Sequence, residues 1–167
     1  MKFITAINDV AIGFAKWCGI TAAIIMTVMI FLQVIYRYVL ADSLSFSEEL
    51  ARYMFIWSVA MGSALALKTR SHIGVELVVE RLPKSLVYPA KIVASAFNLL
   101  FFALLIWYGS EMVIETMDQE SAALSLPMGY VYLAVPLSGI VLFICEIKNT
   151  LDDFLGSRGG DESVKGE

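Results

Sequence analysis

Charged side chains are scarce in this chain, and two acids and a base stand together in one short stretch, SLSFSEELARY. Glu48 and Glu49 are adjacent, Ser45 precedes Glu48 by three residues, and Arg52 follows Glu48 by four and Glu49 by three. Ser-x-x-Glu is a capping box, a signal that a helix starts here. In a first turn both carboxylates complement the positive end of the helix dipole. Arg52 lies one turn on, close enough to pair with either acid. Arg37, upstream, is a further cation for the same glutamates. Such a group offers ionic recognition. On a helical wheel Glu48 and Arg52 share a face, which Ser58, Gly62 and Ala66 continue at four-residue spacing. A small-xxx-small stripe lets another helix approach closely. Two readings stay open for this face: contact with a second protein, or packing against the chain's own helices.

The other residues with chemical potential are few. His72 is the single histidine and reads as a polar anchor or cap at a helix start. Cys18 and Cys145 both fall within apolar segments and read as packing residues; a disulfide is not expected. Two thiols and one histidine make no metal site, and haem ligation normally takes two axial ligands, so no cofactor is expected. Glu111, Glu115, Asp118 and Glu120 form a wholly acidic segment. They suit docking of a basic patch on a soluble protein, or form a solvated loop kept free of Lys and Arg by membrane topology.

The elements that position these residues follow from composition. The chain has 167 residues, 59% hydrophobic and 17% charged, with a mean hydropathy of +0.75. Soluble domains are roughly 45–50% apolar and about 25% charged, so both values belong to a membrane protein. The net charge of -4 has the wrong sign for a nucleic-acid binder. Charges are absent from Trp17 to Tyr36, Tyr53 to Leu67, Ile92 to Ser110 and Ser121 to Cys145. A span needs about 20 mainly apolar residues. Three gaps meet this unaided, and the second does so if its helix begins upstream near Glu48. The expected fold is therefore an all-α integral membrane domain of four transmembrane helices, residues 1–155, followed by a disordered tail, 156–167.

Two segments beside the spans are amphipathic. Residues 2–14 place Phe3, Ile4, Ile7, Val10, Ala11 and Phe14 opposite Lys2, Thr5, Asn8 and Asp9, as an interfacial helix does; a long first span accounts for them equally. Between spans two and three, HIGVELVVERLP alternates like a strand, but a lone strand at a membrane leaves its backbone unpaired. An interfacial helix ended by Pro83 is expected instead.

Orientation follows from the basic residues. With four spans, the termini and second connection share one side and hold ten Lys and Arg, against two on the other. The positive-inside rule puts both termini in the cytoplasm and the acidic third connection outside. The mid-span polar residues, Thr27, Ser58, Ser63, Asn98 and Ser138, suit hydrogen bonds between helices, and no charge marks an ion path. Pro136 and Gly139 are positioned to kink the fourth span. The chain reads as a scaffold with no polar constellation for enzymatic catalysis.

The stretch FLQVIYRYVLADSLSFSEELARYMFIWSVAMGSALALKTRSHIGVELVVERLP, with LSLPMGYVYLAVPLSG later, resembles the small membrane subunit of tripartite ATP-independent periplasmic (TRAP) transporters. The resemblance rests on Arg37-Tyr38, Glu48-Glu49, Arg52-Tyr53, Phe55, Trp57, Gly62, His72, Pro127-Met128 and Pro136, over roughly residues 20–145. Phe46 stands where the family usually has Trp, and Gly129 replaces a common aromatic. The resemblance implies a bacterial inner-membrane subunit, non-catalytic, that scaffolds a large multi-span transporter subunit. That subunit would hold the sodium and substrate sites and move as an elevator. A periplasmic substrate-binding protein would deliver an organic acid of the C4-dicarboxylate, 2-keto acid or sialic acid type. Arg37, Glu48, Glu49, Arg52, Ser58, Gly62, Ala66 and His72 would then face the large partner, and the rest of the surface membrane lipids. The alternative is a self-contained four-helix carrier or channel working as a homo-oligomer.

Overall fold

The first three charge gaps each lie inside one helix that outruns them, while the fourth begins as loop and is divided between a single turn and a long helix. The computed structural model describes residues 2–42, 44–68 and 84–162. These form α1 (Lys2–Val39), α2 (Ser45–Lys68), α3 (Lys84–Glu115), the single turn α4 (Gly129–Tyr132) and α5 (Ala134–Glu162). Among the described residues four stretches are long and apolar enough to cross a bilayer: Ile4–Val39, Ser45–Lys68, Pro89–Glu115 and Gly129–Asp152. The short second gap is made up on its upstream side, where α2 begins at Ser45 and carries Glu48, Glu49 and Arg52 in its first two turns. The hydroxyl that engages the backbone at this start is that of Ser47, donating to the Leu44 carbonyl at 2.8 Å.

At about 1.5 Å per residue, the 38 residues of α1 extend roughly 57 Å, well beyond the ~30 Å hydrocarbon core. α1 runs through residues 2–14 into the first span without a turn. Its early part is packed: Asn8, Ile12 and Ala15 are buried, and Asp9 pairs with Lys68 at 3.7 Å. The HIGVELVVERLP segment and His72 lie outside the described residues. α5 continues to Glu162, into the segment that composition reads as tail.

The four spans do not close into a symmetric bundle. α1 and α2 form one hairpin, and α5 packs against both. α3 contacts only α5 and α4 among the described residues. Half of the α5 span is buried within the chain, against 6% for α1 and 11% for α3. The core joins Ile12 and Ala15 of α1, Met61, Ala64 and Leu67 of α2, Phe102 of α3, and Val141, Leu142 and Cys145 of α5. Cys18 packs against its edge, so both thiols, which are free, serve packing.

Lipid supplies no hydrophobic drive between helices, so close backbone approach must replace it. Glycine provides it where α3 meets α5. A Cβ on Gly109 would come within 3.1 Å of the Pro136 ring, and one on Gly139 within 3.0 Å of Ile106. Pro136 also explains why the fourth span is interrupted. Its ring clashes with the carbonyl four residues back, that of Tyr132, and α4 ends there, with Leu133 as a turn before α5.

One buried polar contact ties α3 to α5. Glu146, 5% exposed, accepts a hydrogen bond from Asn98 Nδ2 at 3.1 Å. Hydrogen bonds to charged groups contribute about 1.5–3 kcal/mol, and a buried acid that loses its donor keeps its desolvation cost. Asn98→Leu should therefore lower stability by roughly that amount, while Asn98→Leu with Glu146→Leu recovers most of the loss. Thermal unfolding in detergent, followed by tryptophan fluorescence, checks both.

Candidate functional site

The first turns of α2, the last turn of α1, the 116–128 loop and α4 gather at one end of the molecule, called here the loop end. A cavity of ≈ 760 Å³ opens among them, lined by Gln33, Arg37, Glu48, Glu49, Arg52, Tyr53, Ala122, Ala123, Met128 and Tyr132, among others. The charged stretch of the sequence thus forms one wall of a real site. Its two glutamates, about 100° apart on the helix, do different things.

Glu48 stays on the open side. Arg52 Nη2 lies 3.1 Å from its Oε1, with both side chains more than three-fifths exposed, and Gln33 Nε2 donates to its Oε2 at 3.4 Å. Exposed i,i+4 pairs contribute only ~0.3–0.5 kcal/mol, so this pair matters little to the fold. Arg37 lines the same cavity but makes no ion pair with either glutamate; the residue of α1 that reaches Glu48 is the neutral Gln33, through a hydrogen bond.

Glu49 turns inward and binds the loop. Its Oε2 accepts hydrogen bonds from the backbone N–H groups of Ala123, at 2.7 Å, and Leu124, at 3.2 Å. The Tyr53 hydroxyl donates to its other oxygen and lies 3.3 Å from Met128 Sδ. Two successive amides converging on one carboxylate oxygen make a small anion nest. Sequence reading grouped Glu49 with Glu48 and missed this. The one available signal was their angular separation on the wheel.

The loop is internally bonded. Met128 N–H donates to Gln119 O at 2.8 Å, Ser121 N–H to Leu126 O at 2.9 Å, and Ser125 N–H to Ser121 O at 3.1 Å. The Ser121 hydroxyl accepts from Leu126 N–H, and Ser125 closes the turn with a φ of 50°. Glu111 and Glu115 sit in the last turns of α3, and Asp118 and Glu120 in the loop; all four are exposed.

Down α2 the predicted small-residue stripe divides. Ser58 and Gly62 border α1, where a Cβ on Gly19 would lie 3.9 Å from Ser58 O and 4.0 Å from Gly62 N. The Ser58 hydroxyl bonds back to Phe55 O. The fully open side carries Glu48, Arg52, Phe55, Val59, Ser63 and Ala66. A Cβ on Gly62 would meet nothing within 4 Å. Below the upper cavity lies a second cleft of ≈ 430 Å³ between α2 and α3, lined by Ser63, Ala66, Phe101, Phe102, Leu105, Val135, Ser138 and Leu142 among others. Glu48, Arg52, Ser63 and Ala66 fall within about 60° of one another on the wheel. The two cavities therefore open on the same side of α2, with α5 behind the lower one.

The match to known proteins bears on what this side of α2 is for. The family model for tripartite ATP-independent periplasmic transporters, DctQ component, matches residues 26–156. The chain belongs to this family. It is a multi-pass membrane component of a transporter and not an enzyme. A Haemophilus influenzae protein, provisionally named a TRAP transporter small permease protein, is 31% identical over 71% of this chain and 73% of its own length. The C4-dicarboxylate TRAP transporter small permease protein of Vibrio cholerae is 31% identical over 65% of this chain and 49% of its own. The isethionate TRAP transporter permease protein DctMQ of Oleidesulfovibrio alaskensis is 32% identical over 64% of this chain but only 18% of its own length. Other small permease relatives are named for ectoine and sialic acid.

Gly129 is fixed by the chain's own packing. A Cβ there would come within 2.8 Å of Val113 O and 2.7 Å of Met117 Sδ. The thioether can swing aside, but the backbone oxygen cannot. Gly129→Ala should cost about 1–3 kcal/mol, the usual range for overpacking, measured as a lowered unfolding midpoint of the purified chain.

Proposed function

We propose that this chain is the non-catalytic small subunit of a sodium-coupled, binding-protein-dependent secondary transporter for an organic acid. It scaffolds a large, elevator-type transport subunit in the bacterial inner membrane. Both termini face the cytoplasm and the loop end faces the periplasm, as the distribution of basic residues favours.

The observation that carries this reading is the side of α2 that the two cavities share. The upper cavity, between α1, the 116–128 loop and α4, is charged, and the lower cleft, between α2 and α3, is apolar and floored by small residues, the profile that a helix crossing a bilayer meets from its polar end inward. Ser63, Ala66 and the open flank of Gly62 permit a backbone to approach closely. Glu48, Arg52 and Arg37 offer charges of both signs at the top. The relative DctMQ supports a much larger partner, since this chain matches less than a fifth of it. Relatives named for C4-dicarboxylate, ectoine, isethionate and sialic acid match at similar identity, 25% to 32%, which fits substrate choice lying on other chains. Ser58 and Gly62 serve both the α1 contact and the edge of this seat, and His72 is assigned to the partner face on the family pattern alone.

Glu111, Glu115, Asp118 and Glu120 are the proposed docking surface for the periplasmic binding protein. Glu111 and Glu115 are like charges four residues apart near the negative end of α3, an arrangement that costs the helix a few tenths of a kcal/mol. Such a placement fits recognition better than stability.

The chain should co-purify with the large multi-span subunit. Ala66→Trp, which fills the lower cleft, and Arg52→Glu, which puts like charges beside Glu48, should each reduce recovered complex by about tenfold, the effect of ~1.4 kcal/mol in binding. Normal assembly and uptake with Glu48→Lys and Arg52→Glu combined would overturn the charged part of the interface. The purified chain alone in liposomes should carry no flux; substrate flux without a partner would establish the self-contained carrier instead.

A further inference from the structure

The 116–128 loop completes its own turn, yet two of its amides look outward. The bonds from Met128 to Gln119, Ser121 to Leu126 and Ser125 to Ser121 all lie within the loop. The N–H groups of Ala123 and Leu124, at its tip, find their acceptor in Glu49 of α2. The folding of the loop and its placement on the bundle thus rest on different interactions. Its side-chain hydrogen bonds to α2 include those to Glu49, the contact of Tyr53 with Met128 and those of the Ser121 hydroxyl with Glu49 and Tyr53. Ala122 and Ala123 are small and exposed, so side-chain packing does little to hold the tip. The Glu49 carboxylate is what holds the two tip amides, while Ser121 and Met128 anchor the base of the loop to Tyr53.

We propose that Glu49 is a positioning residue: it holds the tip of the 116–128 loop against the first turn of α2, so that Asp118 and Glu120 are presented to the soluble binding protein in one fixed arrangement. This rests on the reading that the acidic loop docks that protein. It separates two adjacent residues by role, Glu48 on the side of the large subunit and Glu49 behind the docking loop. Because the loop keeps its internal bonds without Glu49, losing the carboxylate loosens placement and leaves assembly intact.

The test uses the complete complex of this chain with its large subunit, in proteoliposomes, supplied with the binding protein encoded for the same transporter and carrying the substrate with which it purifies. Glu49→Ala should raise hydrogen exchange at Ala123 and Leu124 at least about tenfold, with exchange at Met128 unchanged. It should raise the half-saturating concentration of binding protein roughly five- to tenfold, the scale of losing a charge-assisted hydrogen bond. The maximal rate and the yield of complex should hold. Glu49→Gln keeps an acceptor oxygen and should fall between wild type and Glu49→Ala. Unchanged exchange in both variants would overturn the proposal, and so would loss of the large subunit, which would make Glu49 a partner contact. A chain with Glu111, Glu115, Asp118 and Glu120 all neutralised separates the remaining outcomes. If that chain docks weakly while Glu49→Ala docks normally, the positioning role fails alone. If neither change affects docking, the docking reading fails and the proposal with it.

Discussion

Helices in a bilayer associate without help from the hydrophobic effect, because lipid tails are as apolar as the side chains they would replace. Stability must come from contacts closer than lipid can match, and α5 is where this chain makes them. Gly109 and Gly139 bring α3 against α5 so closely that a methyl group on either would crowd the facing side chains at 3.0–3.1 Å, and Asn98 adds a hydrogen bond to buried Glu146. α2 packs on α1 past Gly19 and reaches α5 on its other side. Among the described residues the helix contacts of α3 are with α5 and α4, and the cleft between α2 and α3 is left open beside them. That cleft follows from where the glycines are.

The loop end obeys a second constraint. A helix start leaves amides and a positive dipole end, and two neighbouring carboxylates there cannot point the same way. Glu48 stays with Arg52 in the open cavity, while Glu49 is spent on the loop amides. The turn that lines the upper cavity is therefore the one that holds the loop tip. The surfaces proposed for the large subunit and for the soluble protein meet at two consecutive residues.

Much of this was legible in the residues. Four charge-free runs mark four spans, and the deficit of the second points upstream to a start near Glu48, three residues short of the observed start at Ser45. Asn98 was read as a bond between helices and is one, but its partner was not foreseen. Glu146 stands one residue beyond the fourth charge-free run, and a count of gaps treats it as an exposed boundary. Burial of that kind depends on which helix lies opposite, and periodicity carries no such information. The same limit explains Ser58: a stripe at four-residue spacing drifts about 40° per step, so it cannot face one neighbour over its whole length. Glu49 escaped for a further reason. Its partners are backbone amides 74 and 75 residues away, and amides leave no mark on sequence type.

Exposed apolar surface cannot by itself distinguish lipid from protein in such a chain. Phe31, Phe97 and Trp107 are each about two-thirds or more exposed, and any of them suits acyl chains. A lipid-facing surface gains from large side chains, whereas Ser63, Ala66 and the bare flank of Gly62 give lipid little to contact and leave polar backbone near the surface. The exposed Glu48–Arg52 pair contributes too little to folding to account for charges at that position. Small exposed residues on a cleft, beneath charges that do little for the fold, are what a surface built for another protein backbone requires. The residues that stabilise this chain least are thus the ones most informative about what covers it.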